Sequence, residues 1–228
     1  MPQLDEILAL SLIEQGSRLM PLDRAVLMAS AFGGLAWDDA ACLPLDQRDR
    51  ILIDARIAAL GSSIEFFALC PRCEEGNEAG FDLRALPEAA GQATVTCDVA
   101  GERVLLHAPS SRDIGAAALS GEPRSLLAAC VKEGAVSSDP RFAQAVEAAL
   151  AEAFPLLEPR FEIACSACDA GFSIRFDIAT WLWREIEQLG ARAIDVVDRL
   201  ARVYGWSEGE ILGLSPIRRS LYLARSSG

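Results

Sequence analysis

The chain has 228 residues, 51% of them hydrophobic, and a formal net charge of −12. That length suits one large domain or two small ones with room for a real core, and the acidic balance argues against a phosphate-binding surface as the main activity. No apolar run reaches the ~18 residues of a membrane span, and the N-terminus lacks a basic segment followed by an apolar core and cleavage site.

Leu4 to Gln15 reads as an amphipathic helix, with Leu4, Ile7, Leu8, Ser11 and Leu12 along one stripe. A second helix is expected after Pro21, with Asp23 near its start, Ala25 to Phe32 as its apolar body and Gly33-Gly34 as its stop. Leu45-Asp46 leads into a third, in which Ile51, Leu52, Ala55 and Ala59 share a face and Gly61 is the natural end. These make an N-terminal helical lobe over residues 1–62.

A strand-like approach, Phe66 to Leu69, then enters Cys70-Pro-Arg-Cys73, followed by a polar turn from Glu74 to Gly80, Phe81 and Leu83. The same grammar returns from Phe161: an apolar approach, Cys165-Ser-Ala-Cys168, a Gly, and the alternating run Phe172, Ile174, Phe176, Ile178. A lone Cys-x-x-Cys fits zinc, redox chemistry or chance, whereas two facing hairpins supply the four thiolates of a structural zinc site. Cys70, Cys73, Cys165 and Cys168 are therefore the expected metal ligands. The redox reading wants one motif at a helix start in a thioredoxin-like pattern, and both motifs here sit on hairpins. Buried or disulfide-bonded cysteines without metal are the remaining alternative. The 91 residues between the pairs far exceed the roughly 15–20 of a usual zinc ribbon, so the zinc site would be split. Four thiolates close the coordination sphere, which points to a staple and away from catalysis.

Between the pairs, Leu86-Pro87 opens an Ala/Gly-rich connection, and Ala93 to Ala108 reads as a β-hairpin turning at Ala100-Gly101-Glu102. His107, the lone histidine, ends its second strand and would be a substitute ligand if one cysteine failed. Ser111 is the expected N-cap of a helix over Ile114 to Leu119, Gly121-Glu122-Pro123 breaks it, and Ser125 to Glu133 is a further short helix. Asp139-Pro140 starts the next, with Phe142, Val146, Ala149, Leu150 and Phe154 inward and Pro155 and Pro159 at its end. Cys42, Cys97 and Cys130 stand alone, each expected as a small buried hydrophobe. The split four-cysteine β core with this insert spans 63–176. The fold class is α+β: mainly helical, with a small antiparallel zinc-ribbon-like core built from two Cys-x-x-Cys hairpins.

The C-terminal helical module, 177–228, opens with a helix from Asp177 to Leu189, is interrupted at Gly190, and resumes from Ala193 to Tyr204. Gly205 stops it, Ser207-x-x-Glu210 is a capping box, and Ser215-Pro216 caps a last short helix, with Trp206, Ile211, Leu214, Ile217, Leu221 and Tyr222 as apolar positions. From Arg175 onward eight Arg face seven Asp and Glu, net +1, so the first 174 residues carry −13. The tail is thus the part best suited to an acidic partner. Trp206 is a rigid anchor of the interface type or a core residue. Arg218 and Arg219 point about 100° apart, so one can pair with Glu208 or Glu210 while the other faces a partner. Lys132 is the single Lys against 20 Arg, which hints at a high-GC bacterial coding sequence.

The tail, Tyr204-Gly-Trp206-Ser-Glu, then Ile211-Leu-Gly-Leu214, then Arg218-Arg219 and Tyr222-Leu223, resembles the terminal motif of tail baseplate proteins of contractile phages and phage-like injection systems. With the Cys165 pair, Phe176-Asp-Ile and the Trp-rich helix, it is similar to the T4-type baseplate hub assembly family over about the last 70 residues. The Cys70 hairpin and Ser111–Ala117 match more loosely, and the first 60 residues carry little of it. Asp169 stands where Gly is common in zinc knuckles, which implies a looser turn. The resemblance implies a non-enzymatic part in building or forming the baseplate hub, made in the bacterial cytoplasm, with hub, tail-tube or tape-measure proteins as partners and Trp206, Arg218, Arg219 and Tyr222 as contact residues. A zinc-ribbon nucleic-acid-binding regulator and a thiol oxidoreductase are the competing classes.

Overall fold

Four helices precede the first cysteine pair in the computed structural model, which describes residues 4–90, 93–99, 102–122 and 124–226. Helix α1 (Glu6–Gly16) is capped by the Asp5 carboxylate, which accepts from the Leu8 N–H at 2.8 Å. Its buried side is Ala9, Leu12 and Gly16, and Ile7, expected inward, is exposed. Helix α2 (Pro21–Gly33) is the hydrophobic heart, with every residue from Ala25 to Ala29 buried and Gly34 closing it at φ 63°. A short α3 (Trp37–Cys42), for which the sequence shows no apolar period, leads to α4 (Leu45–Leu60). Leu52 and Ala55 of α4 are inward as expected, but so are Asp46, Arg48 and Arg56. Arg56 donates to Glu185 at 2.9 Å, to the Ser63 carbonyl at 2.8 Å and to the Gly61 carbonyl, so the buried cation has its donors satisfied.

The hairpin β1 (Ser63–Leu69) and β2 (Gly76–Asp82) follows, antiparallel, with Ile64 opposite Phe81 and Leu69 opposite Gly76. The polar turn is shorter than the sequence suggested, because Gly76 to Gly80 already pairs as strand. The insert begins with β3 (Thr94–Val99) and β4 (Glu102–His107), as expected, and Ala100-Gly101 lies outside the described residues. Helix α5 (Ser111–Ser120) is capped by Ser110 and not Ser111, through a reciprocal box with Asp113. Helix α6 (Ser125–Ala129) is shorter than expected, because Val131 turns into β5 (Val131–Glu133), which completes a three-stranded sheet in the order β3-β4-β5. A three-residue strand gains nothing from periodicity, so only its pairing with Leu105 and Leu106 reveals it. Helix α7 (Pro140–Ala153) starts at the expected Asp139 cap and covers this sheet with Phe142, Val146 and Leu150. The sheet and α7 have their own core, closed by Val104, Leu106 and Phe154.

The second hairpin, β6 (Arg160–Ala164) and β7 (Gly171–Arg175), runs into α8 (Ile178–Tyr204), capped by Asp177. Helix α8 is one unbroken helix of 27 residues, so the expected interruption at Gly190 is wrong. Gly190 is there for packing: a methyl group in its place would overlap Ile13 Cδ1 of α1. The chain ends in α9 (Glu208–Leu212), with the expected Ser207/Glu210 box, and α10 (Pro216–Ser226). The main core unites α1, α2 and α4 with both cysteine hairpins and the first half of α8, through Phe32, Ile64, Phe161, Leu182 and Ile186. Among the described residues no helix is long and apolar enough to cross a membrane.

Candidate metal centre

Two hairpins whose cysteine pairs are separated by 91 residues meet because their inner faces are aromatic. Phe161 of β6 is 3% exposed and stacks on Phe81 of β2 at 3.8 Å between ring centroids, with Phe66 at 5.7 Å and Phe176 at 5.0 Å. Burying one such ring contributes about 1.5–3 kcal/mol, and each good ring pair adds roughly 0.5–1.5 kcal/mol beyond that. This cluster fixes the two hairpins side by side and brings their cysteine turns to the same end.

The turns are built alike. In the first, the Glu74 N–H donates to the Cys70 carbonyl at 2.9 Å and the Cys70 N–H to the Glu75 carbonyl at 2.9 Å. In the second, the Asp169 N–H donates to the Cys165 carbonyl and the Cys165 N–H to the Ala170 carbonyl, both at 3.0 Å. The residue after each second cysteine has positive φ, 61° at Glu74 and 54° at Asp169. Asp169 is therefore no looser than its counterpart: it takes up the left-handed conformation for which glycine is usually chosen. The Arg72 N–H points at Cys70 Sγ at 3.4 Å.

The four sulfurs lie within 4.8 Å of one another, with Cys70 to Cys168 at 3.8 Å and Cys73 to Cys165 at 3.6 Å. A disulfide would need about 2.05 Å, so all four thiols are free. A tetrahedral ion bonded to sulfur at about 2.3 Å requires edges of about 3.8 Å, and the quartet has that size. The four cysteines can thus hold one metal ion. Cys70 and Cys165 are 1% exposed, Cys168 is half-buried and Cys73 faces solvent, which leaves an entry side. The Ala167 N–H, with that of Cys168, holds the Cys165 thiol down at about 6. At Cys73 the Glu75 N–H pulls down, but the Cys168 sulfur, burial and the other two sulfurs outweigh it and push the thiol up to about 12. One ready thiolate among crowded thiols favours a cation, whose binding takes the ligands as thiolates.

Asn77 is the residue that sequence reasoning missed. It sits on β2, 5% exposed. Its Oδ1 accepts from the Ser166 N–H at 2.9 Å and the Ser166 hydroxyl at 3.1 Å, while Nδ2 donates to the Glu75 carbonyl at 2.8 Å and lies 3.8 Å from Cys165 Sγ. One side chain thereby clamps the second turn to the first. The only available signal was an Asn inside a strand rich in polar residues, which carries no message until the partner hairpin is in place.

His107 is not part of the quartet: its Nδ1 lies 2.9 Å from the Ala108 carbonyl in the insert's sheet. Of the isolated cysteines, Cys130 is buried as expected, Cys97 is half-buried and Cys42 is exposed against expectation. In the tail, Trp206 stacks on Tyr204 at 4.7 Å and meets Tyr222 edge-on at 4.8 Å, a half-buried trio that pins α10 to the end of α8. Arg219 is 5% exposed and pairs with Glu6 of α1 at 2.7 Å, not with Glu208 or Glu210, and Glu210 is engaged by Ser207. Arg218 is exposed. No family model, curated protein or solved structure matches the chain.

Proposed function

We propose that the chain is a non-enzymatic structural or assembly component of the hub region of a contractile tail baseplate, folded around a structural zinc in a ribbon-like site split between two hairpins. The observation that carries the metal reading is the quartet of sulfurs with tetrahedral spacing. Four soft thiolates in that geometry select zinc or iron among common ions, and zinc is the usual ion of closed structural sites. A closed set leaves no position for a substrate or an activated water, which supports a staple over a catalyst. The baseplate reading is supported by the tail sequence from Tyr204 to Leu223 together with the paired cysteines. Its partners are hub, tail-tube or tape-measure proteins, met through the exposed side of the tail.

Two measurements test this. Elemental analysis of protein purified without chelator should give one zinc per chain, with four of the seven thiols protected until chelator is added. Absence of metal with seven reactive thiols refutes the zinc reading. Co-expression with the hub, tube and tape-measure proteins of the same tail cluster should yield a complex, and a chain that joins none of them refutes the baseplate role. Cys70→Ser or Cys165→Ser should unfold much of the protein, since the binding energy of a structural zinc is folding energy.

A further inference from the structure

The first hairpin turns one face to the aromatic cluster and the other to solvent. On the outer face, Glu65, Phe67 and Leu69 of β1 stand opposite Gly80, Glu78 and Gly76 of β2. Phe67 is 65% and Leu69 61% exposed. A methyl group at Gly76 would overlap the Phe67 ring, so that ring leans across β2, whereas one at Gly80 would meet nothing closer than the Ile64 carbonyl at 3.8 Å. The result is a depression of about 450 Å³ lined by Glu65, Phe66, Phe67, Glu78, Ala79 and Gly80. Both charges in this lining are negative, and neither carboxylate is ion-paired among the described residues.

The edge of β2 is open as well. The Leu83 N–H donates to the Ser62 carbonyl and the Cys70 N–H to the Glu75 carbonyl, both at 2.9 Å. These bonds set the phase of the ladder, so Gly76, Glu78 and Gly80 occupy its non-bonded positions, with N–H and C=O turned away from β1. Among the described residues no further strand pairs with β2 and no other backbone group bonds to that edge. Such an edge is a template for an added strand.

We infer that β2 receives an extended segment of a basic protein partner as a third strand, with an arginine of that segment laid over Gly80 between Glu65, Glu78 and the Phe67 ring. The added strand lies about 4.8 Å beyond β2. Because Gly80 has no side chain, a residue beside it reaches across to Glu65 in the same row. A guanidinium there meets two carboxylates and an aromatic face, with no cation in the lining to oppose it. Four positions along the segment, an apolar residue falls beside Gly76 and rests on Phe67 and Leu69. Main-chain bonds supply affinity, and these two side chains supply selectivity. This surface is distinct from the tail surface of the proposed baseplate role, so either assignment can fail alone.

The probe is the peptide acetyl-Val-Thr-Thr-Thr-Arg-Thr-Thr-Thr-Val-amide, which offers the same spacing in either strand direction. Titrated into the isotope-labelled, metal-loaded full chain, it should bind with a dissociation constant of about 1 mM or tighter. It should shift the Gly76, Glu78 and Gly80 amide resonances and slow their hydrogen exchange. Glu65→Gln/Glu78→Gln changes two exposed side chains, so it should keep the wild-type circular dichroism and weaken binding about tenfold. Gly80→Val fills the depression from open space and should weaken binding at least as much at an unchanged melting temperature. A probe with Gln in place of its arginine should lose about tenfold in affinity, and added salt should weaken the parent probe. No amide shift up to about 5 mM probe, shifts centred on another strand, or equal affinity for the Glu65→Gln/Glu78→Gln variant or for the arginine-free probe would each overturn the inference.

Discussion

Replacing Asn77 by Ala is the sharpest probe of the metal centre, because Asn77 supplies none of the four sulfurs, although its Nδ2 lies 3.8 Å from Cys165 Sγ, and still holds both cysteine turns. The change removes two bonds accepted from Ser166 and one donated to Glu75. At about 1 kcal/mol for each net hydrogen bond, with a further penalty for partners left buried, the metal-loaded protein should lose roughly 2–4 kcal/mol. For a chain of this size that is a fall in melting temperature of about 4–16 °C. Because the clamp joins the two halves of the quartet, metal affinity should drop roughly 10–100-fold, the range for residues that orient ligands. Competition with a chromophoric chelator gives the affinity, and urea unfolding with and without metal gives the two stabilities. By linkage, the penalty should be larger with metal than without it, by the free energy corresponding to the affinity change. An equal penalty in both states, with affinity within threefold of wild type, would show that Asn77 merely packs a strand, and the clamp argument would fail.

Four further outcomes follow from the geometry. Gly190→Ala should destabilise by roughly 1–2 kcal/mol despite the better helix propensity of Ala, and Ile13→Val should recover part of that loss in the double variant; a stabilised Gly190→Ala would mean the helices do not approach as described. Glu6→Gln leaves Arg219 buried without its counter-charge and should cost roughly 1–3 kcal/mol in denaturant unfolding, while Arg219→Met removes the cation as well and should cost less. Glu74→Gly relieves a left-handed residue and should stabilise the loaded protein by about 0.5–1 kcal/mol, with a clear loss counting against the turn geometry. Acid should strip the metal by protonating its thiolates; in the metal-free chain Cys165, at about 6 when folded against roughly 8.5 unfolded, has a lowered pKa, so its contribution is complete above the higher value and lost as pH falls through the lower one. Bound metal and melting temperature, followed together from pH 8.5 to pH 5, should decline in step.

Local signals in the sequence were enough for the elements that end on strong punctuation. Asp139-Pro140, Gly34, Gly205 and the Ser207/Glu210 box act within one turn of helix, so their neighbours in sequence suffice. The four cysteines were legible for a similar reason: each pair occupies one tight turn, and the same grammar appears twice. Where sequence reasoning erred, a distant contact overrode the local preference. Gly190 looks like a helix break until α1 is laid against it, and β5 exists only because β4 offers it an edge.

Composition and spacing by themselves determined a mainly helical chain with two cysteine hairpins and an insert between them, and that the insert packs around its own core came from the tertiary structure. Only the tertiary structure decided that the hairpins meet, because that depends on Phe66, Phe81, Phe161 and Phe176 finding one another across the insert. It also decided which charges are internal. Nothing in the local sequence marks Arg48, Arg56 or Arg219 as internal, and they are buried because acceptors on other elements, Ser111, Glu185 and Glu6, are carried to them by the fold. A hydrogen bond between residues far apart in sequence has no local signature, since its free energy exists only after the core has brought both ends together.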